Sequence, residues 1–526
     1  MICLIQNREE YNNDLRVTLM AFYPGVKIVT PENIQKKPEY EKDIEFTLRA
    51  DFLEDRIELR IYDEYSQKYV RNYNVIADEE QYISIGGECE EEPCCISAFS
   101  TIETCCRDKV KTRNPLKLEL YKMLSERTGK VLPWGSLTGV RPTKIAMEAM
   151  ESGKSDEEIV EHYIHTYGAS REKAEICVSV AHREKKIIDS VDCNDEYCLY
   201  IGIPFCPSRC LYCSFTSYPI AVYRDKVTAY LDAMEKEIAY VAEAYKHKKP
   251  VSIYIGGGTP SSISAEEIDR LCCMIEKSFD MSHVKEFTIE AGRPDSTTLD
   301  KLQVMNRHKV TRVSINPQTM NRETLSLIGR AHTPEQTVEA FYRAREAGCT
   351  NINMDLIVGL PGENVDMVSH TLDMIEELKP ESLTVHSLAI KRAANLNQEM
   401  DKYRDKLASD INEQLSQVNK RAAAMGLNPY YLYRQKNIAG NLENVGFSKD
   451  GLECLYNILI MEERTDIIGI GAGSSSKLIR HAGEVCPGTG EIIEGTRIDR
   501  VENCKSVDDY ITRIDEMIDR KRQGFY

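Results

Sequence analysis

Between residues 199 and 389, six short runs rich in β-branched and aromatic residues alternate with longer segments of helical period, and this alternation constrains the fold more than any other feature. The runs are LYIGIP (199–204), VSIYIG (251–256), VKEFTIEA (284–291), VTRVSIN (310–316), TNINMDLIVGL (350–360) and SLTVHSLA (382–389). Between them lie stretches such as YRDKVTAYLDAMEKEIAYVAEAY and SAEEIDRLCCMIEKSF. The second opens with Ser264 and carries Glu267 three residues on, the capping-box pattern that starts a helix. Right-handed crossovers between such units build a parallel sheet wrapped in helices. Six βα units fall short of the eight that close a barrel. The predicted fold is therefore α/β, a partial (β/α)6 barrel with its ligand crevice at the C-terminal strand ends.

The flanks read differently. Residues 1–112 hold strand-like pieces (KDIEFTLRADFLEDRIELRIYDEY) and many acidic residues, which predicts a separate α+β domain. Residues 113–190 read as a helical connecting region, interrupted by LPWGSLTGVRPTKI (132–145) with the single tryptophan, Trp134. The core is placed at 191–395. Residues 396–526, with a charged helical stretch at 401–425, form a C-terminal accessory region. With 67 basic against 84 acidic residues the net charge is −17, which disfavours a phosphate-backbone binder and leaves only local basic pockets. No apolar run reaches the roughly 18 residues of a membrane span, and MICLIQNREEYNNDLR lacks the basic start of an export signal. A cytoplasmic protein is expected. Its 18 cysteines are then reduced thiols, mostly buried as small hydrophobes, with some available as metal ligands.

FCPSRCLYCSF (205–215) sets Cys206, Cys210 and Cys213 in a C-x-x-x-C-x-x-C array directly after the first predicted strand. Three thiolates can hold three irons of an iron–sulfur cubane and leave the fourth open to another ligand. A structural zinc usually wants four protein ligands, and no Cys or His follows closely to complete the set, although Cys198 lies upstream on the strand. Cys89 and the pairs at 94–95 and 105–106 match no metal spacing. Adjacent cysteines face opposite sides of a strand, so these read as structural.

The cysteine array resembles the radical S-adenosylmethionine (SAM) superfamily. The resemblance extends over residues 199–480: YIGIPFCPSRCLYCSF, IYIGGGTPS, FTIEAGRPD, VSINPQTMN, LIGRAHT and NMDLIVGLPGE are similar, in order, to the core of the oxygen-independent coproporphyrinogen III oxidases. LPWGSLTGVRPTKI, VHSLAIKR and YYLYRQKNIAGNLENVGFS resemble the HemZ-type coproporphyrinogen dehydrogenase branch more narrowly. The resemblance implies a [4Fe–4S] cluster on Cys206, Cys210 and Cys213, with SAM chelated at the open iron and cleaved to a 5′-deoxyadenosyl radical. Gly257, Gly258 and Thr259 then fall in the segment that binds the SAM amino group, where glycines let the backbone approach a ligand. Glu290 matches the acid on the cofactor ribose, and Gln318 and Arg330 match contacts to the ribose and carboxylate. Asp355 is costly inside an apolar run unless it has a polar partner or ligand. Tyr200, Ile357 and Ala389 fall at positions that line the cofactor pocket. IIGIGAGSSS (467–476) reads as a phosphate-type turn or, by the resemblance, as a loop closing the site where some relatives hold a second SAM.

The implied reaction is oxidative decarboxylation of two propionates of coproporphyrinogen III to vinyl groups, yielding protoporphyrinogen IX. The partners are a reduced tetrapyrrole, a flavodoxin- or ferredoxin-like electron donor and an electron acceptor, with no nucleic acid. Arg141, Lys144, Lys391, Arg392 and Arg434 are candidates for the substrate carboxylates. Phe215 stands where the well-characterised oxidases carry a fourth cysteine, as it does in the related heme-chaperone branch. That branch's His-Asn heme-ligand motif has no counterpart near 434–446. Heme delivery, and radical chemistry on another tetrapyrrole, therefore stand as alternatives.

Overall fold

Each of the six runs forms a strand in the computed structural model, which describes residues 1–66, 96–104, 108–391, 393–407, 410–435, 442–485, 490 and 492–525. An N-terminal group comprises β1 (Ile2–Gln6), β2 (Ile28–Val29), β3 (Phe46–Phe52), β4 (Arg56–Tyr62) and β5 (Ile96–Glu103), in sheet order β2-β1-β3-β4-β5. The core then adds β6 (Glu196–Ile203), β7 (Phe205–Cys206), β8 (Tyr218–Pro219), β9 (Lys249–Gly257), β10 (Glu286–Ile289), β11 (Arg312–Ser314), β12 (Ile352–Val358) and β13 (Ser382–Ser387). C-terminal to these come β14 (Asn428–Arg434), β15 (Glu443–Ser448), β16 (Ile467–Ile470), β17 (Ser475–Arg480) and β18 (Arg497–Glu502).

Strands β6-β9-β10-β11-β12-β13 pair in parallel and in chain order, as βα repeats require. Register decides the faces. Leu199, Ile201, Ile253, Ile255, Phe287, Ile289, Val313, Met354, Leu356, Leu383 and Val385 share one face and are at most 2% exposed. Helices cover such a face, and each fully buried aliphatic side chain contributes about 1.5–3 kcal/mol. The helix Val227–Ala244 turns Val227, Tyr230, Leu231, Met234, Ile238 and Val241 inward at helical spacing. The helix Ala265–Ser278 starts at the expected capping box, Ser264 and Glu267 bonding reciprocally. The opposite face carries Tyr200, Tyr254, Thr288, Arg312, Asn353, Asp355 and His386, and this is where the site lies.

The expectation of a Gly-rich loop over 467–476 is corrected. Ile467–Ile470 is β16, pairing in parallel with β6 from Cys198 to Ile201, so the sheet gains a seventh parallel strand. Only residues 471–474 form the turn into β17. The apolar run IIGI is four residues long, and its partner lies more than 260 residues away.

By compactness the chain divides into two units: 1–142, 148–178 and 435–442, and the remainder of the chain. In the first, β3 and β4 form a hairpin, with Leu53 N–H donating to Arg56 O at 2.8 Å. The core of this unit packs Leu15, Leu19 and Phe22 with Leu48, Leu59, Leu116 and Leu120. Cys89, Cys94, Cys95, Cys105, Cys106 and Arg392 lie outside the described residues.

Candidate active site

The three cysteines sit on the loop that leaves β6. The short parallel pair β7–β8 closes its base, with Tyr218 N–H donating to Pro204 O at 2.8 Å. Leu211 N–H donates to Ile328 O at 2.9 Å, and Ser208 Oγ to Gly329 O at 3.1 Å, tying the loop to the segment before Arg330. On its other side Gly258 N–H donates to Ile203 O at 2.9 Å and Thr259 N–H to Phe205 O at 2.7 Å. Gly257 has φ +113°, and a Cβ on Gly258 would lie 2.7 Å from Phe205 O and 3.0 Å from Cys206 Sγ. Only glycines let this strand end approach the cysteine loop so closely.

Hydrogen-bond donors point at the sulfurs. Thr259 Oγ1 lies 3.5 Å from Cys206 Sγ, and Arg293 Nη1 lies 3.6 Å from Cys210 Sγ. Arg293 is held by Asp295 through bonds of 2.9 and 2.7 Å. Burial pushes the Cys206 thiol up to about 11, so its thiolate needs a cationic partner to persist. The donor set of three thiols with polar N–H and O–H groups aimed at them suits an iron–sulfur cluster.

Around the same strand ends the remaining sequence-predicted residues converge. Glu290, one residue beyond β10, accepts from Tyr254 Oη. Burial raises its carboxyl to about 7, the Tyr254 hydroxyl opposing and the Asp355 charge adding. Asp355 on β12 accepts from Asn316 Nδ2 at 2.8 Å and Asn353 Nδ2 at 2.7 Å, with His386 Nε2 at 3.9 Å. Burial pushes this carboxyl up too, but His386 and Asn353 outweigh it and hold Asp355 below the usual range. Gln318 extends the pairing of β11 onto β12: its N–H donates to Asp355 O at 2.9 Å and its carbonyl accepts from Ile357 N–H at 3.0 Å, at φ +66°. Arg330 Nη1 donates to Asn316 O at 2.6 Å. Among the described residues, Gln318 Oε1 and Arg330 Nε are buried with no hydrogen-bond partner, the state expected of polar atoms that await a ligand. Ile357 is buried and Ala389, two residues past β13, is half-buried.

Tyr200 stacks with Tyr254 (6.2 Å between centroids) and Tyr456 (6.0 Å), and those two with each other at 4.5 Å, which gives an aromatic floor beneath the glycines of β6 and β9. Among the carboxylate-binding candidates, Lys391 stands at this mouth, Arg434 is buried in β14 beside Glu443, and Arg141 belongs to the other unit. Tyr254, Arg293, Asn316 and His386 join the site without having been singled out in the sequence. The available signal was parity: Tyr254 lies two residues before Gly256, and His386 shares its sheet face with Asp355.

The profile of the radical SAM superfamily matches residues 200–375. The chain is 43% identical over 380 residues to the oxygen-independent coproporphyrinogen-III oxidase-like protein HemZ of Bacillus subtilis, covering 71% of this chain and 76% of that protein. It is 32% identical over 278 residues to the heme chaperone HemW of Bacillus subtilis, covering 52% of this chain and 69% of that one. The solved structure of coproporphyrinogen III oxidase (HemN) from Escherichia coli aligns at 23% identity with a TM-score of 0.49, over 64% of this chain and 73% of that chain. Among the described residues no helix is long and apolar enough to cross a membrane. With parallel strands in βα order, three cysteines beyond the first of them and this extent of likeness, the chain belongs to the radical SAM superfamily, in its HemZ-type, coproporphyrinogen-III oxidase-like family.

Proposed function

We propose that this chain is a radical SAM enzyme that converts coproporphyrinogen III to protoporphyrinogen IX without oxygen, by oxidative decarboxylation of two propionates to vinyls. The observation that carries the reading is the 43% identity to HemZ across 380 residues. Cys206, Cys210 and Cys213 would hold a [4Fe–4S] cluster, which with bound SAM supplies a 5′-deoxyadenosyl radical able to take hydrogen from an unactivated propionate carbon. The chain itself positions and shields. Arg330 offers its free Nε to the SAM carboxylate, and Gln318 Oε1 and Glu290 accept from ribose hydroxyls. The backbone of Gly257–Thr259 receives the amino group beside Cys206. Tyr200, Ile357 and Ala389 exclude water from the pocket wall, and Asp355 holds Asn316 and the turn through Gln318 in place. Residues 191–395 carry this chemistry, with 1–112 as an N-terminal α+β domain, 113–190 as a helical connecting region and 396–526 as a C-terminal accessory region. A flavodoxin- or ferredoxin-like protein would deliver the electron, and a separate acceptor would take the one left by each decarboxylation.

The likeness to HemW, over 69% of its length, favours a second reading as a heme-delivery protein. One anaerobic assay separates them: reduced, reconstituted protein with SAM and coproporphyrinogen III, following 5′-deoxyadenosine and protoporphyrin. Both products support the dehydrogenase. 5′-Deoxyadenosine with no protoporphyrin, accompanied by stoichiometric heme binding, would overturn it in favour of delivery.

A further inference from the structure

Phe215 lies two residues beyond Cys213 and leaves 66% of its surface in solvent. Lys391 Nζ is 5.8 Å from the centre of its ring. Lys391 follows the end of β13 by four residues, so it stands on the same C-terminal rim as the cysteine loop. The segment carrying it is fastened to that loop. Arg209 Nη2 donates to Ala393 O at 2.8 Å, Leu396 N–H donates to Leu211 O at 2.9 Å, and Ala394 N–H donates to Lys391 O at 3.0 Å.

Of the neighbouring cations, Arg293 is paired with Asp295 and Arg209 bonds the Ala393 carbonyl, while Arg330 is assigned above to the SAM carboxylate. Lys391 has no carboxylate beside it among the described residues, although acidic residues outnumber basic ones 84 to 67 in this chain. Lys391 is itself half-buried. A half-buried ammonium without a carboxylate, next to an exposed aromatic face, is complementary to a ring that carries an acid.

We propose that Phe215 and Lys391 form a substrate subsite in which the Phe215 ring packs against one pyrrole face and Lys391 pairs with the carboxylate borne by that pyrrole. The inference rests on the reading above and deepens it. It also gives the residue in the fourth-cysteine position a role: an apolar face where a thiol would offer none.

The test uses full-length, cluster-reconstituted protein and its Lys391→Gln, Lys391→Arg and Phe215→Ala variants. Coproporphyrin III and its tetramethyl ester serve as binding probes by porphyrin fluorescence, and KM and kcat are measured with coproporphyrinogen III. Loss of a charge-assisted pair predicts a roughly tenfold to hundredfold rise in KM and in the coproporphyrin Kd for Lys391→Gln, with recovery in Lys391→Arg. The tetramethyl ester should bind Lys391→Gln and wild type alike. Iron per chain is measured in every variant, so that KM and Kd are compared at equal cluster loading. Turnover by the wild type with a KM and Kd within twofold in Lys391→Gln would overturn the subsite and leave the reaction standing. Lys391-dependent coproporphyrin binding with no turnover would overturn the reaction and keep the subsite. A wild type that neither binds nor converts would overturn both.

Discussion

Glu237 and Lys521 form an ion pair with both side chains fully buried, Nζ to Oε1 at 2.7 Å, and replacing Lys521 with methionine tests what that pair does. The Glu237 carboxylate is saturated. Oε1 accepts from Lys521 and from Asn503 Nδ2 at 2.7 Å, and Oε2 accepts from Gly471 N–H at 2.9 Å and from Tyr510 Oη. The network joins the helix Val227–Ala244 to the C-terminal helix Ile514–Phe525 and to the turn after β16. That turn is further held by Tyr230, whose hydroxyl donates to Gly202 O at 2.7 Å and accepts from Ala472 N–H at 2.8 Å. Removing one partner of a buried pair strands the other charge and costs about 3–5 kcal/mol. Lys521→Met should therefore speed hydrogen exchange of residues 467–480 and 514–525 by roughly a hundredfold to a few thousandfold if that opening is what exchange reports. The paired Glu237→Met/Lys521→Met chain should lose less than the sum of the single changes. The pH dependence supplies a sign. Burial pushes the Glu237 carboxyl up, but Lys521 and the other donors outweigh it and hold it low, so its contribution to stability is present above the unfolded carboxyl value and is lost as pH falls through the folded one. Without Lys521 burial wins and the sign reverses, so the penalty should be largest near neutrality and shrink on acidification. A penalty below about 0.5 kcal/mol, the size of an ordinary surface change, or one independent of pH between 5 and 8, would refute the reasoning.

Cys206→Ala, Cys210→Ala and Cys213→Ala should each abolish bound iron and the iron–sulfur absorption after reconstitution; a full cluster in all three would contradict the assignment. Gly258→Ala places a methyl 2.7 Å from Phe205 O and 2.9 Å from Pro204 C, backbone atoms that cannot yield, so it should cost about 1–3 kcal/mol and reduce cluster occupancy, measured by iron per chain. Gly139→Ala, with nothing within 4 Å of its Cβ, should leave occupancy unchanged. Glu290 has its carboxyl raised to about 7, so the stability it contributes is complete below the unfolded value near 4.5 and is lost as pH rises through 7. Glu290→Gln should flatten the fall in urea midpoint of the SAM-free protein between pH 5 and 8, a difference of about 3 kcal/mol at most. An unchanged slope would count against the burial of an ionisable acid there.

What the sequence determined by itself is what contiguous residues encode. Strand period and β-branched content located β6 and β9–β13, the Ser264–Glu267 spacing marked a helix start, and the cysteine array placed itself after the first strand. Asp355 announced a polar partner because a carboxylate within an apolar run has to be compensated, but the run does not say that the partners are Asn316, Asn353 and His386. Tertiary structure alone decided the pairing of β16 with β6, the stacking of Tyr200, Tyr254 and Tyr456, the closure of Lys521 on Glu237 and the approach of Lys391 to Phe215. These contacts join residues tens to hundreds of positions apart. Sheet register and loop path bring them together, and a periodicity read along the chain carries no information about either.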